Sequence, residues 1–385
     1  MRERIPSKLT AWLLVMGFLV AIFVPLGLWM ATEDKAKSSV EKRTLNQQPR
    51  YPYSAEELAA YPGKFNTYYA DQFGLRDWFT QSYNTGKFQL GDSPSPNVTI
   101  GQDGWLFLGS LRSGYEDYDD PFGDVLGLNR YSDDQLQDFA KHLQTVQAWL
   151  AERGATYLFV IAPNKHSIYP EKLPGHIDMA TLPPSVTDQL VEYLRANTSV
   201  PIVDLRAPLR DAKQQVEDDL YYHTDTHWNH FGANIAQYHI MKAVEELFPG
   251  KVEPTLANVQ HTKPRDGGDL AQMMGVRDHV SETNPTPRFA EGCKPTQTPK
   301  EVKLREPHSF TCEGRELTAL IFHDSFFTKL QPYIARQFKH STYVWLMLNA
   351  KDLKHYVALK KPDIVIEEWV ERRLPHVPEL EESLD

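Results

Sequence analysis

The chain has 385 residues, 41% of them hydrophobic, enough apolar material for one large core or two ordinary ones. Its 41 Lys and Arg are outnumbered by 51 Asp and Glu, a formal net charge of −10. That balance excludes a protein that grips nucleic acid or anionic lipid over a broad basic face, so any attraction for a polyanion must be local.

Arg2, Arg4 and Lys8 precede an uncharged apolar stretch over 9–31, which is long enough to cross a bilayer and carries Pro25 and Gly27 inside it. A secretory leader has a shorter apolar core of about 7–15 residues and ends at small residues, a site that Ala31-Thr32-Glu33 fits poorly. The expectation is an uncleaved anchor over 1–31. The positive charges before it stay in the cytoplasm, which places the rest of the chain in the periplasm of a Gram-negative cell, attached to the inner membrane. Residues 32–50 are polar and read as a juxtamembrane tether, leaving 51–385 as the globular domain.

Helical periodicity over 65–73 and 74–78 and a strand-turn signal over 101–108 mark a small packing subregion. The first long periodic element is a helix over 132–153. Ser132 and Gln135 form its capping box, and Leu136, Phe139, Leu143, Val146 and Leu150 share one face. Gly154 ends it. The stretch 156–162 then runs continuously apolar, as a strand covered on both faces does. The alternation continues with a helix over 185–195, a strand over 200–205 and a helix over 229–248. A strand over 317–322, a helix over 326–338, a strand over 342–346, a short helix near 352–359 and a strand over 363–367 complete it. This predicts an α/β fold with a mostly parallel central sheet between helical layers, whose sites form beyond the carboxyl ends of the strands. Residues 251–315 interrupt the pattern with Pro, Gly and Thr clusters and read as an irregular or β-hairpin insertion near the site. They include Cys293 and Cys312, a disulfide candidate in an oxidising compartment, or otherwise two buried thiols.

Two stretches carry chemistry. In the first, an apolar strand stops at Asp324-Ser325, where a serine hydroxyl at a strand's carboxyl end meets the free N–H groups of a following helix. That suits a nucleophile, although both side chains can equally serve as helix caps. In the second, three imidazoles and a carboxylate fall within Tyr221-Tyr222-His223-Thr224-Asp225-Thr226-His227-Trp228-Asn229-His230. His227 can act as general base with Asp225 fixing its tautomer, and Ser325 supplies the hydroxyl they lack. His223, Asp225 and His227 also match zinc ligand types, and a third reading makes the imidazoles structural. The turn Pro163-Asn164-Lys165-His166 lies at another strand's carboxyl end, where the Asn164 amide can donate to an oxyanion beside Lys165. Tyr221, Tyr222, Trp228, Phe326 and Phe327 offer aromatic faces for sugar rings, or else belong to the core.

Asp225-Thr226-His227-Trp228 after a Tyr-Tyr pair, with Gly232-Ala233 and Asp324-Ser325-Phe326, resembles the SGNH-hydrolase-like domain of the alginate O-acetyltransferase family. Supporting stretches are Glu41-Lys42-Arg43-Thr44-Leu45, Phe73-Gly74-Leu75-Arg76-Asp77, Gly104-Trp105-Leu106-Phe107, Pro163-Asn164-Lys165, Ile168-Tyr169-Pro170 and Gly268-Asp269-Leu270. The resemblance implies a three-layer SGNH-hydrolase-like fold and a triad of Ser325, His227 and Asp225; no cofactor or metal is expected. It also implies acetyl transfer to a polysaccharide acceptor, the acetyl group being delivered by a membrane-bound O-acyltransferase. The chain departs from ordinary SGNH enzymes in placing His323, rather than Gly, before Asp-Ser, so His323 is a candidate for substrate contact and the oxyanion donors can differ. An esterase with the same triad and a non-catalytic polysaccharide-binding component of an export complex are the competing readings.

Overall fold

The computed structural model describes residues 8–38, 43–109, 121–175, 177, 182–290, 292–378 and 384; Arg2, Arg4, Glu41 and Lys42 lie outside them. Two compact units emerge: one holds the residues up to Ser95 together with Gln272–His279, the other Pro96–Ala271 and Val280–Asp385.

The first unit contains α1 (Lys8–Ala31), α2 (Ala55–Gln72) and α3 (Arg76–Gln89). α1 has a mean hydropathy of 2.4 over its most apolar window and is long enough to cross a membrane. By length and composition it suits a single-pass span and also a leader sequence. The described residues of the expected tether are folded against α2, because their polar groups find partners there. Arg43 pairs with Asp71 at 2.5 Å, the Asn46 N–H donates to the same carboxylate at 2.9 Å, and the Lys35 N–H donates to Gln72 at 3.0 Å. The break between units falls after Ser95 rather than at the expected junction near residue 50.

The second unit is built on a seven-stranded sheet. Its strands are β1 (Thr156–Ala162), β2 (Ile202–Asp204), β3 (Thr296–Thr298), β4 (His308–Thr311), β5 (Thr318–Phe322), β6 (His340–Val344) and β7 (Ile364–Val370), in the spatial order β2-β1-β7-β5-β6-β4-β3. The five strands from β2 to β6 run parallel, and β4 and β3 extend that edge antiparallel. Side chains alternate between the two faces. Leu158, Val160, Ile321 and Ile366 enter one core with Ala236, Ile240 and Val244 of the helix α7 (His230–Leu247). Tyr157, Phe159, Leu320 and Val365 enter the other with Phe139, Leu143 and Val146 of α4 (Asp133–Ala151), Leu190 of α5 (Val186–Asn197) and Leu353 of α8 (Ala350–Lys360). The result is a helix-sheet-helix sandwich. The helix α6 (Arg206–Gln215) was hidden in sequence by Pro208, which its first turn tolerates.

Of the two readings of the insertion, the structure takes the antiparallel one in the described part: it supplies β3 and β4 and two small antiparallel sheets, Asn258–His261 with Pro285–Arg288 and Arg265–Asp266 with Ser281–Glu282. Two expectations change. The helix expected over 326–338 is instead a 3-10 turn, Ser325–Lys329, followed by the single helical turn Gln331–Ile334. Pro332 accounts for the break, since its ring would clash with the carbonyl four residues earlier in a continuous helix. The last strand runs on to Val370, because Glu367 and Glu368 are accommodated inside the sheet rather than ending it.

Candidate active site

The segment 221–229 doubles back on itself. Tyr221 and Trp228 form an isolated antiparallel bridge, and the Asn229 N–H donates to the Leu220 carbonyl at 2.9 Å. At the tip, Asp225 Oδ1 accepts the His227 N–H at 3.1 Å, an Asx turn that holds the imidazole back toward the carboxylate. Asn229 then caps α7 through the Phe231 N–H at 2.8 Å. A side chain at Gly268 would overlap Asp225, so the glycine lets that backbone close over the carboxylate.

The facing turn follows β5. Asp324 Oδ1 accepts the Phe326 N–H at 2.8 Å and Oδ2 the Val370 N–H at 2.9 Å. The Asp324 N–H donates to Glu368 at 3.1 Å. Asp324 is therefore the brace of the turn, and it occupies the Phe326 N–H that a developing oxyanion would otherwise use. The short 3-10 turn also lacks the macrodipole expected of a long helix.

These two elements bring Asp225, His227 and Ser325 into line. His227 Nδ1 is 2.8 Å from Asp225 Oδ1, and His227 Nε2 is 2.8 Å from Ser325 Oγ. With its Nδ1–H donated to the carboxylate, the imidazole presents Nε2 as acceptor for the serine proton. Burial pushes Asp225 up, but hydrogen bonds from His227 and Arg265 outweigh it and hold the carboxyl well below its ordinary range.

Arg265 comes from the insertion. Its guanidinium donates to Asp225 Oδ2 at 2.8 Å and to Glu282 Oε1 at 2.7 Å, and it stacks 3.9 Å from the Tyr222 ring centre. Glu282 in turn accepts the Thr224 N–H at 3.0 Å, so the charge network grips the loop that carries Asp225 and His227. Asp269 accepts the Thr226 N–H at 2.7 Å and lies 3.6 Å from His227 Nδ1. Crowding by protein and the neighbouring Asp225 charge push its carboxyl up.

The other candidates fall into different roles. Lys165 is buried and donates to the carbonyls of Tyr222, His223 and Asp225 at 3.0, 3.0 and 2.8 Å. It is a scaffold for the loop rather than a substrate donor. Burial lowers its pKa to about 8, against the pull of Asp225, Asp269 and Glu282. Asn164 is buried; its Oδ1 accepts from Arg372 at 3.3 Å, and its Nδ2 is enclosed without a protein partner. The His323 ring packs among Phe327, Tyr343 and Trp345 and is 1% exposed, so a substrate has no access to it. Burial lowers its pKa to about 4. Tyr221, Tyr222, Trp228, Phe326 and Phe327 are each at most 2% exposed and present no free face to a sugar. Trp228 acts instead as a clasp, its Nε1 donating to the Phe326 carbonyl at 3.0 Å.

His223 leaves the cluster, stacking on Trp105 and bonding Asp219 at 2.7 Å. Among the described residues, Asp225, His227 and Asp269 converge as potential metal ligands, their atoms within 4.8 Å of one another. Asp225 is engaged by His227 and by the cationic Arg265, an arrangement that opposes a bound cation. Cys293 and Cys312 are joined as a disulfide. Arg265, Glu282 and Asp269 carry little local signal in the sequence beyond the Gly268-Asp269 pair that follows Arg265 closely.

Residues 98–310 match the family described as "SGNH hydrolase-like domain, acetyltransferase AlgX", and the chain belongs to that family. The match includes Asp225 and His227 and ends before Ser325. Among curated relatives, the chain is 26% identical over 279 residues to the "Probable alginate O-acetylase AlgJ" of Pseudomonas syringae pv. tomato, covering 71% of this chain and 63% of that protein. The protein of the same description from Pseudomonas aeruginosa is 28% identical over 182 residues, covering 47% of this chain and 42% of the relative. Less than two thirds of either relative's length is thus matched. Of solved structures, Bacillus cereus PatB1 aligns with a TM-score of 0.50 at 15% identity, covering 73% of this chain and 99% of its own. The O-acetyltransferase domain of Pseudomonas putida AlgJ aligns at 0.48 and 18% identity, covering 74% and 94%. The family match and the sheet topology make the second unit an SGNH-hydrolase-like α/β fold.

Proposed function

We propose that this chain is an O-acetyltransferase of the periplasm that transfers acetyl groups to the hydroxyls of an exopolysaccharide through an acetyl-serine intermediate. The observation that carries the reading is the line Asp225–His227–Ser325, with both imidazole nitrogens 2.8 Å from their partners. His227 takes the Ser325 proton as Oγ attacks the acetyl carbonyl of a donor, and returns it to the leaving group. A sugar hydroxyl, deprotonated by the same imidazole, then attacks the acetyl-serine and regenerates the Ser325 hydroxyl. Asn164 Nδ2 is the side-chain donor for the tetrahedral oxyanion.

The names of the curated relatives support polysaccharide acetylation as the setting. In this reading α1 is retained as a single-pass inner-membrane anchor, and a membrane-bound O-acyltransferase supplies acetyl groups. The esterase alternative uses the same three residues and differs in the acceptor. Full-length protein incubated with an activated acetyl ester, with and without an oligosaccharide, separates the two. Transfer predicts acetylated sugar formed faster than free acetate; acetate alone at every oligosaccharide concentration would contradict it.

A further inference from the structure

The first unit carries an apolar surface that neither the core nor the proposed chemistry uses. Trp78, Phe79, Tyr83 and Leu90 are 60, 49, 64 and 87% exposed on and just after α3. Phe79, Tyr83 and Leu90 fall at i, i+4 and i+11, which places them on one helical face, with Trp78 beside them. Surface helices of soluble domains turn such a stripe inward.

The position of α3 relative to α1 says what covers the stripe. A Cβ built on Gly74 would lie 2.7 Å from Leu28 Cβ and 2.7 Å from the Trp29 nitrogen, so the backbone just before α3 rests directly on the last turn of α1. Trp29 is held by edge contacts to Phe65, Tyr68 and Tyr69 at 6.3, 6.2 and 5.2 Å. Lys35, just past α1, pairs with Asp77 in the first turn of α3 at 2.6 Å. If α1 spans the bilayer, its last turn marks the depth at which the chain leaves the hydrocarbon, and the first turn of α3 begins at that same depth. Trp and Tyr at that level occupy the headgroup region, where an apolar ring and a polar edge are both accommodated.

We infer that α3 is an interfacial helix that lays Trp78, Phe79 and Tyr83 into the outer headgroup layer of the same bilayer that α1 crosses. The inference rests on α1 being a retained anchor. Its consequence is orientation: a span alone leaves the first unit free to tilt with α1 in the bilayer, whereas a second contact beside it fixes the tilt of that unit on the membrane.

The test uses full-length protein in lipid nanodiscs, labelled with a thiol-reactive fluorophore after Trp78→Cys, Tyr83→Cys or Leu14→Cys in separate preparations. Leu14 lies within α1 and is exposed, so its label reads the span itself. The expected result is quenching of the Leu14 label by acyl-chain nitroxide lipid, with the labels at 78 and 83 losing about half their signal to headgroup nitroxide lipid and little to aqueous iodide. If the Leu14 label is quenched while those at 78 and 83 respond only to iodide, the anchor stands and the interfacial helix is wrong, the stripe then facing a protein. An unquenched Leu14 label would overturn the inference by removing the anchor on which it rests.

Discussion

The indole of Trp228 donates from Nε1 to the carbonyl of Phe326 at 3.0 Å, joining residues 98 positions apart in the chain. Each is the immediate neighbour of a member of the proposed triad, Trp228 of His227 and Phe326 of Ser325. The bond therefore fixes the spacing of the imidazole and the hydroxyl through two rigid pieces of backbone, and Phe326 adds a face for the imidazole at 4.9 Å between ring centres. Trp228→Phe keeps most of the buried volume and removes the donor, leaving a buried carbonyl without its partner. The expected loss is about 1–2 kcal/mol of stability by denaturant unfolding. The fall in kcat should exceed the change in KM, because the base drifts from the hydroxyl. Unchanged kcat in a destabilised variant would make the indole merely a packing residue.

Arg265 holds Asp225 ionised and aimed. Removing its charge with Arg265→Gln takes away one of the interactions that depress the Asp225 carboxyl, so that carboxyl titrates higher. The acid limb of the pH–rate profile should move to higher pH, and activity near neutrality should fall by roughly 10- to 100-fold, less than the whole contribution of general-base catalysis. Arg265→Lys should recover part of both. An acid limb that stays in place would show that Arg265 serves only the loop's packing through Glu282.

Lys165 satisfies three carbonyls of the loop that bears Asp225 and His227. Lys165→Met fills similar space without a donor and strands those oxygens, with an expected destabilisation of roughly 2–4 kcal/mol. Amide exchange over 221–228 should accelerate more than elsewhere in the second unit. Uniform acceleration across the sheet would contradict the local role.

Glu368 sits fully buried behind the nucleophile turn, where burial and then the Asp324 charge raise its pKa well above the ordinary value. The folded state therefore binds this proton more tightly than the unfolded chain does. The stabilising effect is complete below the unfolded pKa of about 4.3 and is lost as pH rises through the folded value. Glu368→Gln mimics the protonated acid and still accepts the Asp324 N–H. Its melting temperature should decline less between pH 5 and pH 8 than that of the parent protein, and parallel declines would show that Glu368 is ionised in the fold.

Much of this arrangement was legible from local sequence because local rules governed it. The run at 156–162 alternates between two cores, and capping residues mark α4, so the parallel sheet follows from periodicity. Asp225 and His227 are two residues apart within one Asx turn, and Asp324-Ser325 ends a strand; both read directly. What escaped depended on distance. Arg265 reaches Asp225 across 40 residues from a segment with no periodicity, and no property of Lys263-Pro264-Arg265 announces a carboxylate partner. Glu367 and Glu368 looked like the end of a strand because acids seldom enter a sheet interior; here Tyr157, Trp369 and the Asp324 N–H receive them. The aromatics beside Asp225, His227 and Ser325 suit either sugar platforms or core by sequence, and packing turns every one of them inward.

In the proposed function, Ser325 carries the acetyl group between donor and acceptor. Mass spectrometry of protein quenched after brief exposure to an activated acetyl ester measures this directly. The expected spectrum shows a single acetyl group on the peptide containing Ser325, absent from Ser325→Ala, accumulating in His227→Gln far more slowly, and disappearing when oligosaccharide is added. Acetylation confined to other residues, or polymer acetylation that persists with Ser325→Ala, would contradict a covalent role for Ser325.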